Sequence, residues 1–101
     1  MASRRIMCDK TEIILFIGGK KKVNSLNLTY DQIISITFES CKVFRLFKRV
    51  PSKKITIRTS KRGEPIIYNR YKEKKYFEEY KQELEKFCRE NRITFYDNLV
   101  N

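Results

Sequence analysis

Histidine is absent from the 101 residues, and with it the side chain that most often serves as a general base near neutral pH and as a metal ligand. Cysteine is scarce: Cys8, Cys41 and Cys88 are odd in number and far apart, with no Cys-x-x-Cys step or other ligand spacing. Such a set reads as reduced, mostly buried thiols in a cytosolic protein rather than as a disulfide framework. Long apolar runs are missing as well. The longest, residues 13–17, has five residues, where a signal-peptide core takes about 7–15 and a spanning helix about 20. Arg4 and Arg5 ahead of it do not make a signal peptide. Acidic residues are also few, 12 against 23 lysines and arginines, for a formal charge of +11. The reading therefore contains no cofactor and no metal site, and it points to a cytoplasmic protein that is at most peripheral at the inner face of a membrane.

The material for one domain is present. A chain of this length buries roughly two-thirds of its unfolded surface, and 41% apolar residues with 13% aromatics supply one core. Met7 reads as well as Met1 as a start, so residues 1–10 are expected to be an N-terminal extension. Residues 11–70 show period-two patterning broken by turn residues. Residues 11–17 are nearly all apolar and suit a central strand, ended by Gly18 and Gly19. Lys20, Lys21 and Lys22 then lead into residues 23–29, which predicts a hairpin with a basic tip. Ile34, Ile36 and Phe38 alternate with Ser35, Thr37 and Glu39, the pattern of a half-buried antiparallel strand. Residues 41–49 read as a strand whose Phe44 and Leu46 are expected in the core. Pro51 and Ser52 read as a turn, Ile55 and Ile57 as a fifth strand, residues 60–64 as a turn around Gly63, and residues 65–70 as a sixth strand.

Residues 72–91 change period. Tyr76, Phe77, Tyr80, Leu84, Phe87, Cys88 and Asn91 recur at steps of three and four and form one stripe of an amphipathic helix. Lys75 with Glu79, Lys81 with Glu85 and Glu85 with Arg89 are spaced to pair at i,i+4, each for about 0.2–0.5 kcal/mol, so the aromatic stripe must supply most of the stability. Residues 93–96 add a short extended tail and residues 97–101 are expected to fray. The fold class is thus α+β: a small antiparallel barrel or bent sandwich of six to seven strands closed by one C-terminal helix, as a single domain over residues 11–96.

Strands followed by one amphipathic helix, with Tyr30, Asp31, Gln32, Ile33, Ile34, Ser35 and Ile36 at the entry to the third strand, resemble the bacterial pleckstrin-homology-like (PH-like) families. The resemblance spans residues 11–91. It implies a strongly bent, seven-stranded sheet pair closed by the helix, and a binding module for phosphoinositides, peptides or proteins. Phosphoinositide-binding members carry basic residues in the first hairpin loop and again in the second strand. Lys20, Lys21 and Lys22 match the first half of that pattern, whereas residues 23–29 contain no lysine or arginine. The resemblance thus implies a scaffold rather than an inositol-phosphate pocket.

The charge is unevenly placed. Residues 1–70 hold 16 basic and 5 acidic residues, while residues 71–101 hold 7 of each. Residues 42–62 carry nine basic groups and no acidic one, a self-repelling run that costs stability. One reading is an anion-binding face made by Lys20, Lys21 and Lys22, by Lys48, Arg49, Lys53 and Lys54 around the Pro51 turn, and by Lys61 and Arg62. The other is a solvated surface whose charges keep strand edges from pairing with other chains. Phe44, Leu46, Phe47 and Val50 interleave with Lys42, Arg45, Lys48 and Arg49, which makes Phe47 a candidate for insertion at a membrane interface. The partner expected is an anionic lipid surface or an acidic protein. Nucleic acid ranks lower, because charge and stackable Phe44, Phe47, Tyr68 and Tyr71 come without a helix-turn-helix, zinc spacing or RNA-recognition motif.

Catalysis is not expected. Asp9 with Glu12 and Glu78 with Glu79 read as solvated carboxylates, and no Ser or Cys has a His to activate it. Gly18, Gly19 and Lys20 lack the spacing and following helix of a phosphate loop and read as a turn. Cys41, although beside Lys42, reads as a structural thiol. A second class of function is a protein-binding or self-assembling module that recruits its partner, or a copy of itself, by strand addition at an exposed edge.

Overall fold

The apolar run at residues 13–17 becomes the middle strand of a sheet. In a computed structural model that describes residues 4–18, 22–70, 73 and 75–99, β1 (Ile6–Cys8), β2 (Glu12–Gly18) and β3 (Val23–Thr29) form an antiparallel sheet in the order β1-β2-β3. Ile13 and Leu15 point from β2 into the core, and Leu28 joins them from β3. The Tyr-Asp-Gln step that follows is a single 3-10 turn, Tyr30–Gln32, in which the Thr29 N–H donates to Gln32 Oε1 at 3.0 Å. A second sheet is built from β4 (Ile33–Arg45), β5 (Lys48–Thr59), β6 (Ile66–Asn69) and β7 (Thr94–Asn98), in the order β6-β5-β4-β7. The helix α1 (Phe77–Asn91) lies between β6 and β7 in the chain.

The fold is therefore α+β, with sheets of three and four strands and one helix near the C-terminus, and the sheets are separately hydrogen-bonded rather than closed into a barrel. Seven strands are present where the alternation counts six. One pairing departs from the antiparallel expectation: β7 returns after α1 and runs parallel to β4, with Ser35 opposite Thr94 and Glu39 opposite Asn98. Ladder pairing thus reaches Asp97 and Asn98, in the segment expected to fray.

The largest difference lies at the N-terminus. Residues 4–8, expected to be an extension outside the domain, are part of it. Ile6 is fully buried opposite Leu15. The Phe16 N–H donates to the Arg5 carbonyl at 2.8 Å, and the Arg5 N–H donates to the Tyr80 hydroxyl at 2.8 Å. The Arg4 guanidinium donates to Glu79 Oε2 at 2.6 Å and also to Glu83, while lying over the Tyr76 and Tyr80 rings at 5.5 and 5.7 Å. A three-residue strand is too short to show a period, so its sequence carries no signal for it.

Two further patterns shift locally. A bulge between Ile33 and Ser35 makes Ile34 the extra residue of β4, so Ile33, Ile36 and Phe38 face the core and Ile34 is exposed. The helix starts at Phe77, five residues later than the expected start at residue 72, because turns precede it: the Glu73 N–H donates to the Asn69 carbonyl and the Tyr76 N–H to the Glu73 carbonyl. Phe77, Tyr80, Leu84, Phe87 and Cys88 form its buried face, and Phe77 meets Phe38 edge-on at 5.8 Å. Glu79 is engaged by Arg4, and Lys81 by Asp97 of β7 at 3.3 Å, so these two helix charges tie neighbouring segments down, while Lys86 and Glu90 pair along the helix at 3.9 Å. Asn91 Nδ2 donates to the Lys10 carbonyl at 2.9 Å and holds the helix end to the β1–β2 turn.

Cys88 is buried and Cys8 half-buried, and all three thiols are free. Burial pushes both Cys8 and Cys88 up from an ordinary 9.0 to about 12.

Truncating Ile6 to Ala removes a fully buried side chain at the junction of both layers and is expected to lower unfolding stability by about 2–4 kcal/mol in a urea titration. The raised thiols work against alkaline stability: the unfolded chain ionises them first, so their contribution is complete below pH 9.0 and is lost as pH rises toward about 12. Between those limits the urea midpoint of the wild-type chain should fall with pH, and that of C88A should fall less steeply.

Candidate functional site

β4 and β5 are much longer than their neighbours. β7 pairs with β4 only at residues 35–39, and β6 with β5 only at residues 54–57. Beyond these, residues 40–53 continue as a two-stranded ribbon, and among the described residues no other strand pairs with it. Five residue steps along each strand make an arm of about 17 Å.

The turn of the arm is not where proline and serine suggest. Pro51 and Ser52 lie inside β5, opposite Lys42 and Cys41, and the reversal is the two-residue loop Leu46–Phe47. Pro51 is tolerated because β5 has no outer partner strand there to which an N–H would be owed. Leu46 and Phe47 have φ of 50° and 64°. Positive φ at both central residues is the type I′ pattern, whose handedness matches strand twist and whose usual occupants are Asn and Gly. A residue with a Cβ is destabilised by roughly 1–2 kcal/mol in this region, so two large apolar side chains hold a conformation suited to others.

The arm is also where the expected core fails. Phe44 and Leu46, expected inside, are 73% and 80% exposed, Phe47 is 93% exposed, and Val50 is exposed as well. Register explains it: Phe44 lies on the face that carries Ile36 and Phe38, but the opposing sheet and the helix end before reaching it. Alternation predicts a face, whereas burial requires something to cover it. Cys41, expected to be buried, is half-exposed at the root of the arm, on the face of β4 opposite to that of Phe38.

The basic residues divide into groups. Lys42, Arg45, Lys48 and Arg49 all stand on the arm, with Arg45 directly opposite Lys48, a like-charge cross-strand pair of the kind that destabilises a ladder. Lys53 sits at the root, its carbonyl accepting from the Arg70 N–H at 2.7 Å. Lys54 points to the other face, 3.6 Å from Glu39 Oε1, so its charge is engaged within the domain. Lys61 and Arg62 follow the far end of β5, eleven residue steps or roughly 36 Å of strand from Lys48. They do not join the arm: Lys61 Nζ donates to the Asn27 carbonyl at 3.3 Å on the edge of β3. Burial pushes the Tyr68 hydroxyl well above its usual range, and the positive charges of Arg5 and Arg62 moderate that rise.

Lys22 stands near the root. The Tyr68 hydroxyl, from the β6 residue opposite Ile55, donates to the Phe16 carbonyl at 3.0 Å, so the Gly18 end of the β2–β3 hairpin lies toward the arm and its Glu12 end toward Lys61. Lys20, Lys21 and Tyr71 lie outside the described residues. Arg5 belongs to this end too, donating to the Gly18 carbonyl at 2.7 Å. Arg5, Lys42, Arg45 and Arg70 are thus the members of the basic end that the sequence-based set lacks. For Lys42 and Arg45 the unopposed charge run was a usable signal; for Arg5 and Arg70 none existed, since chain folding alone places them there.

Elsewhere, a groove of about 280 Å³ between the end of β1 and α1 is lined by both signs of charge, with Lys86 3.9 Å from Glu90. Among the described residues no cluster of carboxylates and thiols is placed to hold a metal ion, and no helix is long and apolar enough to cross a membrane. No family model, curated protein or solved structure matches the chain.

Replacing Leu46 and Phe47 by Asn and Gly fits the turn's positive φ. It is expected to slow amide exchange in residues 43–50 by about tenfold, the equivalent of relieving roughly 1–2 kcal/mol of strain, without loss of the native circular dichroism.

Proposed function

We propose that this chain is a non-enzymatic binding module that engages an anionic partner through the arm formed by residues 40–53 and the basic residues at its root. The observation that carries the reading is the arm itself. Lys42, Arg45, Lys48, Arg49 and Lys53 occupy it without one acidic residue. Of the helix carboxylates, Glu79 and Glu83 are engaged already by Arg4, and Lys81 of the helix is engaged by Asp97 of β7. Like charges concentrated on a ribbon that is marginal on its own are tolerable where an opposite charge arrives to neutralise them.

The scaffold is read as PH-like. Strands first and helix afterwards, with two sheets packed on one core, support that reading, and β7 is an addition after the helix. The site is moved from the place the resemblance implies: the charge concentrates on the β4–β5 arm, with Lys22 of the first hairpin as a flank.

Charge reversal separates the arm from the rest. Each basic side chain near an anionic surface contributes about 1 kcal/mol, so K48E/R49E is expected to weaken sedimentation with vesicles rich in phosphatidylserine by roughly thirtyfold or more, and the loss should shrink as salt rises. K61E/R62E, equal in charge change but at the far end of β5, is expected to bind within about threefold of wild type. Equal losses for the two variants would mean that net charge rather than the arm governs binding.

A further inference from the structure

The tip of the arm has a chemistry that charge alone does not use. Ten large apolar side chains are exposed among the described residues, and four of them, Phe44, Leu46, Phe47 and Val50, fall within seven residues of chain. They are not on one face. Phe44 lies on the face it shares with Arg49, Val50 lies with Val43 on the opposite face, and Leu46 and Phe47 cap the end. A protein partner presents a surface and covers one side of such a tip. A medium that surrounds the tip removes all of these groups from water together.

We propose that the arm penetrates an anionic phospholipid bilayer, with Leu46 and Phe47 below the headgroups and Phe44 and Val50 at their level. The inference rests on the anionic-partner reading and specifies the partner. Order along the arm supports it. Arg45, Lys48 and Arg49 follow immediately behind the apolar turn, Lys42 comes next, and Lys53 is at the root. At about 3.3 Å per residue these charges fall within the headgroup layer when the tip is buried by the 5–10 Å typical of interfacial elements. The long basic side chains can reach back toward the headgroups while their stems stay in the interface.

The turn supplies an independent argument. Backbone held in the left-handed region by residues ill-suited to it concentrates at functional sites. Leu46 and Phe47 adopt φ of 50° and 64° while contributing almost nothing to the core, being 80% and 93% exposed. Their bulk is therefore used outside the folded chain. Nucleic acid fits less well: a wedge between base steps uses one or two apolar side chains, and side chains on both ribbon faces would be left against phosphates.

The test uses the whole chain and a property of its composition. Tryptophan is absent, so F47W provides a single indole at the tip. With vesicles of phosphatidylcholine and phosphatidylserine its emission is expected to shift to the blue and to be quenched by brominated acyl chains, and pure phosphatidylcholine should produce little of either. L46N/F47G keeps every charge and relieves the turn, so misfolding does not explain a loss; it is expected to partition at least about tenfold more weakly, from the apolar area withdrawn from the interface. Vesicle binding by F47W with an unshifted, unquenched indole would overturn insertion and leave the electrostatic reading standing. Absence of vesicle binding by the wild-type chain, together with binding to duplex DNA, would overturn both in favour of nucleic acid. A concentration-dependent blue shift without lipid would assign the tip to a second copy of the chain.

Discussion

Twelve cross-strand positions join β4 to β5, and the rest of the molecule is organised by how that ladder is shared. Its inner half is core: Ile36 opposite Ile57 and Phe38 opposite Ile55 are fully buried against the helix and the first sheet. Its outer half has the same hydrogen-bonded geometry and no covering layer. A two-stranded ribbon of this size is marginal in water on its own, and here it inherits direction and twist from strands locked into a core. The arm is thus a continuation of the core ladder beyond the strands that flank it.

Packing around the inner half explains why the two ends of the molecule differ. Arg4, Arg5 and Ile6 join the helix to the first sheet, and Arg4 uses its positive charge to hold Glu79 and Glu83. Lys81 with Asp97 does the same for β7. Charges near the helix mostly serve as internal ties. Those on the ribbon have no acidic residue of their own segment to meet, so positive charge is concentrated on the strands rather than near the helix. That separation gives a basic surface directionality, and directionality is what orients a protein on a flat anionic partner.

Much of the fold was legible in residue patterns. Residues 11–17, with five apolar positions in succession, announce a central strand, and the stripe from Phe77 to Cys88 announces the helix, because both elements are long enough to display a period. The bulge at Ile34 was hidden, since one inserted residue leaves the alternation on either side intact while reversing which isoleucine is inside. β1 was hidden by its brevity. β7 was legible only as an extended tail at residues 93–96, and its pairing was hidden because a parallel partner is reached only after the helix has been placed. The candidate site was half-legible: an unopposed run of nine basic residues located the relevant strands, and Phe47 was singled out by its setting among charges. Pro51 misdirected the turn, since a proline that breaks the interior of a sheet is harmless on a ribbon with open edges.

By itself the sequence determined the α+β class of strands followed by a helix, the neutrality of the helical part, the concentration of positive charge in the strands, and a set of apolar residues sufficient for one core. These are properties of composition and local period, which do not depend on what lies across the domain. Only the tertiary structure decided which alternating residues are covered. Phe38 and Phe44 occupy equivalent positions on the same face of the same strand, yet one is fully buried and the other 73% exposed. The difference is whether a second layer extends that far, a matter of strand lengths in distant segments. The same fact converts a run of charge into an arm and separates Lys48 from Lys61, because a strand that continues past its neighbours carries its side chains out of the core and into the reach of a partner.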